Sequence, residues 1–337
     1  MSVPSWVDVD VQPSRQRPRW FKEVVMAEAA VPLVAQDARD APLPPSAQRP
    51  LRVELGTLRA LAVLPAVCGG LLVAMTLTAG LGTAGALLFL AWMSAGAVLC
   101  TVRGERLAVR GMCRCRPPSQ RQRQLLMPVA TMAMARCGQR PGTVDWYVQP
   151  GSGTNACAAG RRSVAVTGGT LEDFVSGRLP ADQLLAVLVH ELGHHQSRAT
   201  RYALTTTWLA APGRAAFRLV VRVSVALCGG RRPGVLEALL GLVAGCMAAV
   251  QLVRQGQWLG LVMLAGLAFT LVGTPLVDGA VSRASEYAAD TYASEVGVGP
   301  ALARALISMQ GQSTSRRTVR GRLLDRHPPV ASRVARL

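Results

Sequence analysis

His190-Glu191-Leu192-Gly193-His194 is the stretch around which this 337-residue chain is organised. The sequence has only four histidines, and two of them begin and end this stretch. On a helix, residues i and i+4 share a face, so the two imidazoles can reach one point in space. Together with the adjacent carboxylate they form the H-E-x-x-H pattern of zinc hydrolases. Apolar residues before the stretch predict a deeply buried helix that begins at Pro180-Ala181-Asp182.

A catalytic zinc site needs a third protein ligand and an open position for water. Cysteine is poorly supported, because the eight cysteines include no C-x-x-C pair and are expected to be free thiols in a reducing compartment. The only histidine far from the motif is His327. The best carboxylate is Glu286, which shares a helix face with Asp290. Glu286 can coordinate zinc while Asp290 accepts the second N–H of a ligating histidine.

Long uncharged runs argue against a purely soluble protein. Half of the residues are hydrophobic, mean hydropathy is +0.28 and only 17% are charged. Residues 60–102 contain no charged side chain over 43 positions, and 255–277 contain none over 23. About 20 apolar helical residues cross a bilayer core. We therefore expect about four transmembrane helices in two hairpins, near 60–79, 83–102, 234–253 and 257–277. An amphipathic helix over 214–230 is expected at the membrane surface.

The distribution of arginine predicts the orientation. The formal net charge is +18, and Arg254 is the only basic residue in the two turns between the predicted spans. By the positive-inside bias, both termini and the middle segment are cytoplasmic in a multi-pass protein of the cell membrane. The basic surface favours a lipid bilayer as partner, because the sequence contains no nucleic-acid module. No cleavable signal peptide is expected, since the first apolar run follows a long polar leader.

Four ordered motifs carry a family resemblance. The stretch Ser282-Arg283-Ala284-Ser285-Glu286-Tyr287-Ala288-Ala289-Asp290, following an H-E-L-G-H helix, resembles the integral-membrane gluzincins, namely the HtpX-like heat-shock proteases and CAAX prenyl-protein endopeptidases. Asn155-Ala156-Cys157-Ala158-Ala159-Gly160 is similar to the family's N-A-F-A-x-G edge-strand segment. Asp325-Arg326-His327-Pro328-Pro329, with Arg333 after it, is similar to its C-terminal H-P-P-x-x-x-R. The chain departs from the family at Cys157, where an aromatic or large apolar residue is usual.

The resemblance implies a fold and a division of the chain. The fold would be a mainly α membrane protein with a cytoplasmic α+β gluzincin-type zinc peptidase domain. The expected parts are a disordered N-terminal tail, a first membrane hairpin, the first part of the peptidase domain, an interfacial helix with the second hairpin, and the rest of the peptidase domain. Their bounds are 1–55, 56–103, 104–215, 216–278 and 279–337.

The resemblance also implies a metal site and a general base. His190, His194 and Glu286 would bind one Zn²⁺ per chain, with Asp290 supporting a ligating histidine. Glu191 would take a proton from the zinc-bound water and pass it to the leaving amine.

Further roles fall on the substrate side of the site. His327 and Arg333 would stabilise the tetrahedral oxyanion. The edge strand would pair with the backbone of a peptide or protein substrate; its residues are Asn155, Ala156, Cys157 and Ala158. His195 points about 100° away from His194 on the helix and is expected outside the metal site.

The predicted function is a membrane-embedded zinc endopeptidase acting on membrane or membrane-associated proteins, with quality control favoured over prenyl-peptide processing. One alternative is a membrane sensor-peptidase that cleaves a cytoplasmic repressor, although both outward turns are too short to hold a sensor domain. The other is a catalytically inactive membrane scaffold, against which the intact Glu191 argues. Glu286 and Asp290 could instead form a solvated helix face, His327 could be a turn residue, and Arg333 could contact phosphate or lipid.

Overall fold

The computed structural model describes residues 64–227, apart from 65–66, 73, 76–77 and 79, together with 235–310 and 327–337. The predicted N-terminal tail over 1–55 lies outside the described residues.

The described part is mainly helical, with one small mixed sheet. The helices, in chain order, are α1 Gly82–Val98, α2 Val102–Gly111, α3 Gln120–Arg136, α4 Gly168–Val175, α5 Ala181–Gln196, α6 Ala203–Leu209, α7 Ala211–Leu227, α8 Val235–Arg254, α9 Trp258–Glu295, α10 Gly299–Gln310 and α11 Val330–Val334. The strands are β1 Asp145–Gln149, β2 Ala156–Ala159 and β3 Ser163–Thr167.

The sheet has the order β1-β3-β2, so β2 forms one edge of it. The sequence predicts two short strands around the turn Gly160-Arg161-Arg162, and β2 and β3 form this antiparallel hairpin, with Ala156 opposite Val166. β1 pairs with β3 in parallel, with Asp145 opposite Ser163. The central strand β3 is buried along its whole length. The other edge strand, β1, is partly covered by a bridge between Val148 and Arg116, so β2 has the more open edge.

The core lies on both faces of this sheet. Alternate side chains of the strands, such as Trp146 and Val164, pack against α3, α5 and α10 in the larger hydrophobic cluster. Their neighbours, such as Tyr147 and Ala165, pack against α2 in the smaller cluster. Helix α5 is buried from Leu184 to His194 and packs most extensively on α9. The sheet and α9 therefore enclose the helix that carries the H-E-L-G-H stretch.

Local signals explain several helix ends. The sequence predicts a helix that Ser119 caps and that ends before Gly138. In the structure, Ser119 forms a capping box with Gln122 at the start of α3, and Gly138, with φ of +63°, follows its end. Gly256, with φ of +66°, lies in the turn between α8 and α9. Helix α9 runs for 38 residues without interruption, from the apolar segment predicted as the last span to Glu286 and beyond. The sequence predicts a span near 257–277 and a helix that carries Glu286 and Asp290, and the structure joins the two in one helix.

Within the described ranges, no single helix has both the length and the apolar composition needed to cross a bilayer. Helices α1 and α2 meet that requirement only as a pair, and they are bent by 104° at their junction.

Candidate metal and active site

Two helices build the centre of the site. His190 and His194 lie one turn apart on α5, and both are buried. Gly193 allows α9 to approach closely, because a Cβ at this position would lie 3.1 Å from the Cα of Ala289. This close packing brings Glu286, which follows His190 by 96 residues in the sequence, against the two imidazoles.

His190, His194 and Glu286 converge on one point. Glu286 Oε2 lies 3.5 Å from His190 Nε2, and Glu286 Oε1 lies 3.6 Å from His194 Nε2. One ligand atom from each residue lies within 4.8 Å of the others. Within the described part of the chain, this is the only cluster of three or more His, Cys, Asp or Glu side chains with such geometry. Two imidazole nitrogens and a carboxylate match the donor set of a catalytic zinc site.

Both imidazoles are oriented through their other nitrogen. His190 Nδ1 lies 3.0 Å from Asp290 Oδ1, the contact that the sequence predicts. His194 Nδ1 lies 3.0 Å from the hydroxyl of Ser285, a contact that sequence reasoning missed. When Nδ1 of each ring is the donor, Nε2 presents its lone pair to the point where His190, His194 and Glu286 converge, here called the metal point. The residues present therefore fit a bound metal ion.

Glu191 lies beside the metal point and contacts the sheet edge. Its Oε2 accepts a hydrogen bond of 2.6 Å from the backbone N–H of Ala158 on β2. The carboxylate is buried, with a relative exposure of 7%. Burial raises its pKa, and the positive charge on His190 opposes that rise. A carboxylate with a raised pKa is the kind of group that can accept a proton and release it again near neutral pH.

The C-terminal segment closes the site with a guanidinium group and an imidazole. Arg333 on α11 is buried and donates two hydrogen bonds to Asp290, of 2.8 and 2.7 Å. Its third nitrogen lies 3.0 Å from Glu286 Oε2. His327 Nδ1 lies 3.0 Å from Glu286 Oε1, but its side chain is 68% exposed. His327 thus borders the opening of the site, while Arg333 joins the two carboxylates from the inside.

The pKa values of the two candidate ligand histidines are shifted in opposite directions. Burial disfavours the charged form of His190, but hydrogen bonds with Asp290 and Glu286 outweigh it and raise its pKa to about 9. Burial lowers the pKa of His194 to about 3, and the neighbouring His190 adds to that effect. Burial opposes ionisation of Glu286, but His190 and His327 hold its pKa below the usual range. Before metal binds, the centre therefore holds one protonated imidazole, one neutral imidazole and a carboxylate.

The four edge-strand residues named from the sequence occupy different environments. Asn155 precedes β2; its N–H donates to the hydroxyl of Thr170 at 2.8 Å, and its side chain is exposed. Ala156 packs against the larger core cluster. Cys157 packs against the smaller cluster on the other face of the sheet. Ala158 hydrogen-bonds to Glu191 of the active centre through its backbone N–H.

His195 lies outside the metal point, as expected, and its side chain hydrogen-bonds to the β2–β3 hairpin. Its Nδ1 donates to the backbone carbonyl of Arg161 in the β2–β3 turn, at 2.8 Å. Glu105 on α2 accepts two backbone N–H groups from the same turn. The sequence carried no signal for Glu105, because it stands alone in an arginine-rich segment far from any motif.

Comparisons with known proteins identify the family of this chain. The model of peptidase family M48 matches residues 119–337, about two thirds of the chain. A protease HtpX homolog of Salinibacter ruber is 30% identical over 208 residues, which cover 54% of this chain and 63% of that protein, a little under two thirds of its length. A protease HtpX homolog of Acidiphilium cryptum is 29% identical over 303 residues, covering 82% of this chain and 93% of the relative.

A looser likeness extends to a solved structure. The crystal structure of S. mikatae Ste24p aligns with 86% of this chain and 67% of its own, at 17% identity and a TM-score of 0.43, too low to support an argument about the fold. The family match is the stronger finding, since residues 119–337 include the whole site from Ala158 to Arg333. The chain therefore belongs to peptidase family M48.

Proposed function

We propose that the chain is a membrane-embedded zinc endopeptidase that hydrolyses peptide bonds of membrane or membrane-associated proteins. The observation that carries this proposal is the convergence of His190, His194 and Glu286 from α5 and α9, with Glu191 beside them. Family membership makes the chain a metallopeptidase, and the choice of zinc rests on the donor set. Two imidazoles and one carboxylate suit zinc, which takes three protein ligands in catalytic sites.

A zinc ion bound there would polarise the scissile carbonyl and lower the pKa of a coordinated water from 15.7 toward about 7. Glu191 would remove the proton from the attacking water and deliver it to the leaving amine. The N–H of Ala158 supports that role by holding one carboxylate oxygen at 2.6 Å. The other oxygen would then accept the proton. Glu191 therefore works as a base whose position is set by the edge strand.

The substrate is proposed to add to the free edge of β2 as an extra strand. In the hairpin, the backbone N–H and C=O groups of Cys157 and Ala159 point toward β3. Those of Ala156 and Ala158 therefore point away from β3, toward the open edge. The N–H of Ala158 is engaged by Glu191, so the substrate backbone would meet β2 directly beside the general base. Asn155, at the start of this edge, is proposed to contact the substrate through its exposed side chain.

Stabilisation of the oxyanion is assigned to His327 and Arg333. His327 is the more accessible of the two, because 68% of its side chain is exposed beside Glu286. Arg333 has all its described contacts with carboxylates and the His190 ring. Its contribution at the oxyanion would therefore be a positive charge held at a set distance, in a buried setting where a preorganised charge is most effective.

The membrane assignment rests on where apolar side chains are exposed. Among the described residues, every exposed large hydrophobic side chain except Ile307 lies between Leu64 and Met112 or between Leu219 and Val262. These ranges hold the predicted hairpins and the helices next to them. Such a concentration is expected of surfaces that contact lipid rather than water. We infer four spans in two hairpins, with the active site and both termini in the cytoplasm.

The position of the site near this apolar region favours substrates that are themselves in or on the membrane. Helix α9 connects the last predicted span directly to Glu286 and Asp290. Membrane-protein quality control is the use that we propose, with a bilayer as the second partner.

The test is turnover of an unfolded membrane protein by the zinc-loaded chain in detergent, compared with Glu191→Gln. The variant should keep zinc and lose at least about 100-fold in kcat, the usual contribution of a general base. Cleavage by Glu191→Gln at the wild-type rate would overturn the mechanism. Zinc-loaded wild type that cleaves no peptide would favour the scaffold alternative.

A further inference from the structure

Glu105 is a buried carboxylate that binds a turn of the chain instead of a cation. It lies in the first turn of α2 with a relative exposure of 2%. Its oxygens accept the N–H of Arg161 at 3.0 Å and the N–H of Arg162 at 3.1 Å, as well as the hydroxyl of Ser163 at 2.8 Å. None of the ion pairs among the described residues includes it. A charge buried in this way is costly unless its hydrogen bonds are satisfied.

The turn is shaped to receive this carboxylate. Gly160 has a φ of +68°, and a Cβ on it would lie 2.6 Å from Cδ of Glu105. The two successive N–H groups after it point at the same carboxylate, which is the arrangement that binds anions in backbone nests. Glycine is therefore required at residue 160 for both its backbone conformation and its lack of a side chain.

The same turn is held from the opposite side by the metal-site helix. His195 donates to the carbonyl of Arg161, and the N–H of that same peptide unit, which belongs to Arg162, donates to Glu105. One peptide group is thus hydrogen-bonded at both ends, through its carbonyl to α5 and through its N–H to α2. His195 and Glu191 are also four residues apart on α5, so one face of that helix contacts the hairpin twice.

We propose that Glu105 and His195 are positioning residues, which clamp the β2–β3 turn and so hold the edge strand in place against Glu191 and the substrate. The proposal rests on the proposed function, because it assigns the clamp a part in the same reaction. Neither residue touches the metal point. The clamp acts through the hairpin: the turn places Ala158, and Ala158 in turn holds the general base at 2.6 Å.

The expected consequence of releasing the clamp is a loss of rate without a loss of metal. The ligands lie on α5 and α9, not on the hairpin, so zinc affinity should stay within about two-fold of wild type. A displacement on the order of 1 Å at a reacting group can cost about 100-fold in rate. We therefore expect kcat/KM to fall by about 10- to 100-fold in Glu105→Gln, whose amide places N–H groups against the N–H groups of the turn.

Two substitutions of His195 separate the loss of its hydrogen bond from the loss of its bulk. The side-chain nitrogen of asparagine can take roughly the place of Nδ1 of histidine and donate to the same carbonyl. Leucine has similar bulk but no donor. His195→Asn should keep kcat/KM within about three-fold of wild type, whereas His195→Leu should lose about as much as Glu105→Gln.

The experiment combines three measurements on the full zinc-loaded chain in detergent: hydrogen exchange over residues 156–163, zinc affinity by chelator competition, and kcat/KM. Faster exchange in Glu105→Gln and His195→Leu, with unchanged zinc affinity and reduced kcat/KM, is the expected result. Val298→Ala, a core change outside the hairpin, controls for a general loss of stability and should leave hairpin exchange unchanged. If Glu105→Gln does not fold, Ser163→Ala removes one of the three hydrogen bonds and should show smaller changes in the same direction.

Unchanged exchange in both clamp variants would overturn the clamp. Faster exchange with wild-type kcat/KM would overturn its role in positioning. If the wild type itself cleaves nothing, the proposed function fails, and hydrogen exchange still decides whether the clamp exists.

Discussion

Replacing Ser285 by alanine should weaken zinc binding although Ser285 is not a ligand. Its hydroxyl lies 3.0 Å from Nδ1 of His194, and both residues are buried, with relative exposures of 3% and 8%. Water cannot readily replace the lost hydroxyl there, so the imidazole N–H would lose its partner at a cost of about 1–3 kcal/mol. Partners of this kind typically contribute about 10- to 100-fold in metal affinity, which corresponds to about 1.4–2.8 kcal/mol.

The assay is a competition titration of the metal-free protein against a chromophoric zinc chelator. Ser282→Ala is the matched control, because Ser282 is also buried on α9, one turn earlier, and hydrogen-bonds to neither ligand histidine. Ser285→Ala should bind zinc about 10- to 100-fold more weakly, and Ser282→Ala should match wild type. Equal affinity for Ser285→Ala and wild type, or an equal loss in the control, would refute the orienting role of the hydroxyl.

Three further predictions follow from the same centre. Because His190 has a pKa of about 9 without metal and must be neutral to coordinate, zinc affinity should rise about ten-fold per pH unit between about pH 6 and 8; a flat profile in competition titrations would contradict this. Arg333→Ala leaves the buried Asp290 with only its contact to His190 and should lower the free energy of unfolding by about 1–3 kcal/mol in denaturant titrations. The control is Arg304→Ala, which breaks the exposed ion pair with Asp182 and should lower the free energy of unfolding by less than about 1 kcal/mol. His327→Ala should fold normally, since its side chain is largely exposed, and lose about 100-fold in kcat; unchanged turnover would remove it from the oxyanion site.

Local patterns in the sequence predicted much of this fold. The cap at Ser119, the hairpin over 155–167 and the helix that begins after Pro180 all depend on neighbouring residues, and all are present. The helical period also placed Glu286 and Asp290 on one face, where the structure has them directed at His190. These features depend on spacing that can be read from a few consecutive residues.

Features that depend on packing between distant segments could not be predicted in this way. The parallel pairing of β1 with β3 joins strands with no short connection to mark it. Ser285 precedes Glu286 in a recognised motif, but the motif assigns it no role. Only the approach of α9 to α5 gives it a partner in His194. Glu105 has no motif at all, and its binding to the hairpin turn appears only once α2 packs on the sheet.

The measurement that tests the central claim most directly is the zinc content of the purified chain, compared between wild type and Glu286→Ala. If α5 and α9 join to make one metal site, wild type should carry one zinc per chain, and the variant should lose most of it under the same dialysis. A variant that keeps one equivalent of zinc with wild-type affinity would show that Glu286 is not the third ligand, and it would contradict the site described for His190 and His194.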